Sequence, residues 1–358
     1  MTGDAQEILL NSEAFPATFR DVDLGIYFIE CKIPDASMKM ENVQIIMDNN
    51  VLGIATDHPD AFVHKIGWYF SNRPNASISL NPGVAATEQY LSNSWDNAKT
   101  HLENFELAVS KFSMFKNGQL LETLRSVARN EADTRQQIGI LYCYLAILRH
   151  LYFYGPKGSR LEAWSNFYHQ DIPRIQVPYF FGALFLLSKD KPQLRFMRQE
   201  AKVEKYADGF LMLRKKEKGD FTRWLRNRAF DIIPFIMAPT LSFERFGGYS
   251  SRTVIATNDE VVGECIGRLF AWAGDQQHGD RWHLAATLPN VIDQHDNDIK
   301  LAIEHIYRGA APHRPSSPEE RKARLRNLIQ ISMDMVSADD RTPLHEALGE
   351  YRIYDMVV

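Results

Sequence analysis

The sequence predicts a mainly α protein: two helical lobes, a small β-containing N-terminal arm and a C-terminal tail helix. Three observations carry this expectation. Apolar residues recur every three or four positions through much of the chain after residue 86. Residues 1–60 instead alternate as strands do, and hold eleven acids against three bases. Near the other end, Ala310-Ala311-Pro312-His313-Arg314-Pro315 breaks the helical pattern.

Taken in order, Gly25–Ile33 and Val43–Ala55 favour strands, with Asp48-Asn49-Asn50 as the turn of a hairpin. Leu91, Trp95, Ala98, Leu102, Phe105, Val109 and Phe112 form one apolar stripe, which predicts one long helix. Asp133–Tyr154 is apolar nearly all round and predicts a central core helix, and Pro173–Leu187 predicts another buried element. Asn258 is placed to cap a helix through Val262, Ile266, Leu269 and Phe270, stopped at Gly274. Ser317-Pro318-Glu319-Glu320 reads as a capping box with proline at the first helical position. The predicted segments are therefore an acidic arm (1–60), an N-terminal helical lobe (61–228), a C-terminal helical lobe (229–310) and a tail or exchange arm (311–358).

Composition narrows the class. Hydrophobic content of 45% and charged content of 24% describe a folded chain with a substantial core. Cys31, Cys143 and Cys265 form no CxxC pair, so a reducing compartment is expected rather than a disulfide framework. Met1–Leu10 lacks the basic start of a secretory leader, and the apolar runs Ile138–Leu148 and Val177–Leu187 fall short of a membrane span. No membrane partner is expected.

The whole chain has a net charge of −4, yet Lys189–Arg228 alone holds thirteen bases and six acids. Phe196, Tyr206, Phe210, Phe221 and Trp224 interleave with those bases. Cations neutralise phosphates, and rings stack on bases without discriminating among them, so this pattern points to single-stranded nucleic acid. The competing reading is a solvated helix face. The candidate RNA-binding residues in this segment are Arg195, Arg198, Lys202, Arg214, Lys215, Lys216, Arg223, Trp224 and Arg226. Lys157, in Gly155-Pro156-Lys157-Gly158-Ser159, is a further candidate as a passive phosphate contact, because the loop lacks nucleotide-hydrolysing spacing. Arg314, Arg321, Lys322, Arg324 and Arg326 make a second basic run.

Other patterns are weaker. His278, Asp280 and His283, and Asp293, His295, Asp296 and Asp298, match no known metal-ligand spacing. Arg341-Thr342-Pro343-Leu344-His345 resembles the start of an ankyrin repeat, but no 33-residue period precedes it. No nucleophile signature appears, so the sequence predicts no enzyme, no cofactor and no metal.

Phe230-Asp231-Ile232-Ile233-Pro234-Phe235 is followed by Ser242-Phe243-Glu244-Arg245-Phe246-Gly247-Gly248-Tyr249-Ser250-Ser251-Arg252. This stretch resembles the centre of rhabdovirus-type nucleoproteins, where Asp-Met-Phe-Phe precedes Arg-Tyr-Gly-Thr-Ile-x-Ser-Arg. Upstream, Leu141-Tyr142-Cys143-Tyr144-Leu145-Ala146-Ile147-Leu148-Arg149 resembles that family's Leu-Tyr-Leu-Leu-Gly-Leu-Tyr-Arg, in the same order. The family's Gly-Thr-Ile is Gly247-Gly248-Tyr249 here. The resemblance implies a viral nucleoprotein that polymerises and encapsidates single-stranded genomic RNA in a basic groove between two helical lobes. Arg149 is then a phosphate contact and Arg252 a candidate beside the turn joining the lobes. The partners implied are RNA, further copies held through both terminal arms, and a viral polymerase or phosphoprotein. The expected location is the virion and host cytoplasm. The alternatives are a helical capsid protein of another RNA virus, a metal- or nucleotide-dependent enzyme, and an interaction scaffold.

Overall fold

The computed structural model of the chain describes residues 8–9, 17–30, 42–70, 77–110, 119–197, 200–213, 220–243, 251–275, 281–286, 292–293, 296–309 and 317–356. The protein is mainly helical. It divides into two units. Unit 1 comprises Met1–Glu131 with Ile233–Thr287, and unit 2 comprises Ala132–Ile232 with Leu288–Val358.

The chain begins in unit 1 with strands β1 (Ile8–Leu9), β2 (Ala17–Asp21), β3 (Ile26–Glu30) and β4 (Asn42–Met47). The β2–β3 hairpin turns through Gly25, whose φ of +65° lies in the left-handed region that glycine tolerates, while Asp21 Oδ1 accepts from the Leu24 amide at 2.9 Å. Helices α1 (Asn49–Asp57) and α2 (Pro59–Phe70) lead to strand β5 (Ser77–Asn81). Helices α3 (Gly83–Ser92), α4 (Trp95–Val109) and α5 (Gln119–Arg129) follow.

Unit 2 contributes α6 (Glu131–Tyr154), α7 (Arg160–Tyr168), α8 (Gln176–Asp190) and α9 (Val203–Leu211). Helix α10 (Phe221–Phe243) carries the chain back into unit 1, to β6 (Ser251–Thr257), α11 (Glu260–Glu264), β7 (Phe270–Asp275) and β8 (Arg281–Ala286). Unit 2 then closes with α12 (Asn297–Gly309), α13 (Pro318–Met335) and α14 (Ala338–Glu350).

Unit 1 is built on a six-stranded sheet in the order β1-β2-β3-β6-β4-β5. Strands β4 and β6 run parallel, as do β4 and β5, whereas β3 and β6 run antiparallel. Strand β4 therefore sits between two parallel neighbours, and Val43, Ile45, Ile46 and Met47 are all buried, which is the pattern of a strand covered on both faces. Its core partners include Val51 and Leu52 of α1, Phe62 of α2, and Ala98, Leu102, Phe105 and Val109 of α4. Gly263 packs so closely on Tyr27 that a Cβ would lie 2.2 Å from the ring.

Unit 2 is helical. Ile138–Leu148 of α6 and Val177–Ser188 of α8 are buried throughout. Gly182 lets α8 approach Trp164, where a Cβ would stand 2.7 Å from the indole, and Tyr168 stacks on Tyr179 at 4.0 Å. Leu325 and Leu328 of α13 and Leu344 and Leu348 of α14 are fully buried.

Several expectations change. Residues 1–60 do not form a separate arm: β2, β3 and β4 belong to the same sheet as β6, from far along the chain. The predicted 61–228, 229–310 and 311–358 segments give way to two units that each draw on two stretches of chain, because β6 completes the first sheet and the last helices complete the second core. Asp48-Asn49-Asn50 is not a hairpin turn. Asp48 Oδ1 instead accepts from the Val51 amide at 2.7 Å and starts α1. The predicted long helix through Leu91 and Val109 is two helices, since Ser94 caps α4 at the Asn97 amide and ends the continuity at Asn93. The segment after Asn258 holds a short helix capped by Asp259, a 3-10 turn (Ile266–Arg268) and then β7. The capping box at Ser317 opens α13, with Ser317 Oγ accepting from the Glu320 amide at 3.1 Å. The break at 310–315 lies outside the described residues.

Candidate nucleic-acid interface

Most described cations in and around the basic segment fall into two groups. The first is committed inside unit 2. Lys189 pairs with Glu204 at 3.0 Å and lies over the Tyr152 ring, and Tyr152 donates its hydroxyl to Asp208 at 2.7 Å. Lys191 pairs with Asp298 at 2.8 Å. Arg228, only 1% exposed, pairs with Asp231 and covers the Phe210 ring. Arg160 pairs with Asp190. Except for the exposed Lys191–Asp298 pair, these residues hold helices together and have little charge left for a ligand.

The second group is exposed and has no ion pair among the described residues: Lys157, Arg195, Lys202 and Arg223. Lys157 tops the turn between α6 and α7. Arg195 and Lys202 face each other across a β-bridge between α8 and α9, and Arg223 lies in the first turn of α10. Arg226 is half-buried on the same helix and near enough to influence Tyr142. Arg198, Arg214, Lys215 and Lys216 lie outside the described residues, as do Gly247, Gly248 and the side chain of Arg252.

Two candidates are corrected. Trp224 is fully buried, its Nε1–H donates to the Phe210 carbonyl at 3.2 Å, and its ring stacks on Phe221. No base can reach it. Arg149 has its guanidinium 2.7 Å from the Asp340 carboxylate, with the rings of Phe153, Phe221 and Trp224 each within 6 Å of its centre. Its charge is already matched within unit 2, which leaves little of it for a phosphate. The other interleaved aromatics, Phe196, Tyr206, Phe210 and Phe221, are also buried. Of the second basic run, Arg324 is buried between Asp171 and Glu320, while Arg321 and Arg326 are exposed on α13.

The weaker patterns are absorbed or fall outside. His278, Asp280, His295 and the His283 side chain lie outside the described residues. Asp296 accepts from the Asp298 amide, an arrangement that lowers its pKa and opens α12. Among the described residues no three His, Cys, Asp or Glu side chains converge on a metal position, and no helix is long and apolar enough to cross a membrane.

One feature lies outside the sites expected from sequence. The parallel strands β5, β4 and β6 end side by side, at Asn81, at Met47 just before Asp48, and at Thr257. Thr257 donates its hydroxyl to Asp48 Oδ2 at 2.7 Å and accepts from the Asp259 amide at 3.1 Å. Burial raises the Asp48 pKa, the Thr257 hydroxyl and backbone amides oppose that rise, and Asp259 adds to it. In open sheets with parallel strands, ligands sit beyond the carboxyl ends where connections diverge. The chain carries a local signal for it twice, as an apolar run closing on an aspartate that caps the next helix.

Comparison with known proteins found no matching protein-family profile, no matching curated protein and no matching solved structure.

Proposed function

We propose that this protein binds single-stranded RNA through its phosphate backbone without reading sequence, as a viral nucleoprotein that polymerises along the genome. The observation that supports this reading is the set of exposed cations Lys157, Arg195, Lys202 and Arg223, which have no ion pair among the described residues, in a unit where neighbouring cations form ion pairs. Such charges act by releasing counterions from phosphates, which gives affinity without base identity. On this reading the protein is not an enzyme. Its partners are RNA, further copies of itself and a viral polymerase or phosphoprotein, in the virion and host cytoplasm. The test is the 260/280 nm absorbance ratio of the purified protein, with light scattering before and after nuclease. A protein that is RNA-free and monomeric at moderate salt, and fails to shift a labelled strand, overturns the proposal.

A second reading is favoured by one observation. Asp48 and Asp259 follow neighbouring parallel strands, on the side of the sheet where such folds take ligands. On this reading the protein is a metal- or nucleotide-dependent enzyme acting on a phosphate-bearing substrate, since helix N-termini beyond the carboxyl ends of parallel strands are where such folds take phosphates. Labelled RNA incubated with Mg2+ separates the two. An intact, retained strand supports the coat protein. A shortened strand, no longer produced by Asp48→Asn, supports the enzyme.

A further inference from the structure

Trp224 carries the expectation of stacking on bases, and its burial leaves that role open. Among the described residues, one aromatic side chain stands out of the surface: Tyr154, 62% exposed at the last position of α6. One side of its ring leans on His150, with centroids 5.4 Å apart and planes at 38°. Burial lowers the His150 pKa, which favours the uncharged imidazole beside Tyr154. The tyrosine hydroxyl makes no hydrogen bond among the described residues.

The backbone just beyond is tightly specified. The Gly155 amide donates to Leu151 O at 3.0 Å and closes the helix. A Cβ at Gly155 would lie 2.4 Å from that same carbonyl oxygen, so the position admits no side chain without movement. The Ser159 amide then donates to Pro156 O at 3.2 Å, and Gly158 has a φ of +82°, the angle a type II turn requires at its third residue. Lys157 thus occupies the second position of a fixed turn, exposed and unpaired, three residues from Tyr154. The other cations around this end of α6, Arg149 and Arg160, are tied to Asp340 and Asp190.

We propose that Tyr154 is the platform on which a base of the bound strand stacks, with Lys157 holding an adjoining phosphate. This deepens the RNA-binding reading and rests on it. A flat exposed ring close to an exposed lysine suits a base of any identity, because every base offers a π-face. His150 lies against one side of the ring, and the residue is otherwise largely exposed.

The test is fluorescence anisotropy across a salt series, with labelled oligouridine and an abasic strand of equal length. Tyr154→Ala weakens oligouridine binding by about 5- to 150-fold, leaves the salt slope unchanged and costs nothing on the abasic strand. Tyr154→Phe keeps the parent affinity. Lys157→Ala lowers the slope by about 0.7 on both strands. A parent that binds oligouridine with a Tyr154→Ala variant that binds equally well overturns this inference and leaves the RNA-binding reading standing. Stacking is equally overturned if Tyr154→Ala loses as much affinity on the abasic strand. A parent that binds neither strand overturns both.

Discussion

Arg149 and Asp340, 191 residues apart, meet at 2.7 Å, each side chain about 13–14% exposed. The pair ties α6 to α14 inside unit 2, and the Phe221 and Trp224 rings enclose it from α10. Removing one partner strands the other charge. Asp340→Ala is therefore expected to destabilise the protein by about 3 kcal/mol, read as a lower denaturation midpoint, with no change in RNA affinity of the folded fraction. A selective loss of affinity at unchanged stability would restore Arg149 as a phosphate contact.

Trp224→Ala removes a fully buried indole and its bond to Phe210 O. The expected cost is about 3–5 kcal/mol of stability, seen by chemical denaturation, at an unchanged salt slope of RNA binding.

The unpaired cations predict a charge effect of known size. Replacing Lys157, Arg195, Lys202 and Arg223 together by Ala should flatten the single-strand salt slope by about 3 units, if each meets one phosphate. The loss should be the same for oligouridine and mixed sequence. An unchanged slope makes these residues plain surface.

Asp48 predicts a pH effect with a definite sign. Burial raises its folded pKa, so the native state holds the carboxyl proton more tightly than the unfolded chain does. Its contribution to stability is full below the ordinary carboxylate pKa of about 4 and is lost as pH rises through the raised folded value. Asp48→Asn keeps an oxygen to accept from the Val51 amide and removes the charge. The variant should melt above the parent at pH 7, with the gap closing under acid. Equal melting at both pH values would contradict this.

The last two long helices predict the effect of truncation. Leu325, Leu328, Leu344, Leu348 and Ile353 are buried, and Ile353 fills the space above Gly139, where a Cβ would lie 2.5 Å away. Deleting 318–358 strips one side of α6 to solvent. The product should be insoluble or show fast hydrogen exchange over Ile138–Leu148, rather than behave as a folded monomer released from a filament.

The elements most legible in the sequence are those whose signal is local. Ile138–Leu148 is apolar on every face, and it is buried on every face of α6. Ser317-Pro318-Glu319-Glu320 states its own cap, and α13 starts there. The pairing of β6 with β3 and β4 is illegible, because strand partners more than 200 residues apart in sequence leave no mark in either segment. For the same reason Asp48 reads as a turn in sequence: a short polar run after an apolar one looks alike whether the chain reverses or begins a helix. Trp224 misleads differently. A ring interleaved with bases has one pattern whether it faces solvent or core, and only its bond to Phe210 O settles which.

The position of β6 also sets an order of events on the ribosome. It lies between β3 and β4, so neither of those strands has its inner neighbour when it emerges. About 200 residues separate the end of β4 from the start of β6, roughly 10–40 s of synthesis at about 5–20 residues per second. Throughout that interval β3 and β4 present unsatisfied hydrogen-bonding edges, the condition under which nascent chains pair with the wrong strand or with each other. The helices of unit 2 that emerge in the meantime hold mostly local contacts and are free to form first. The protein's yield in a cell is thus expected to depend on chaperones that shelter strands β3 and β4 until residue 257 has left the exit tunnel.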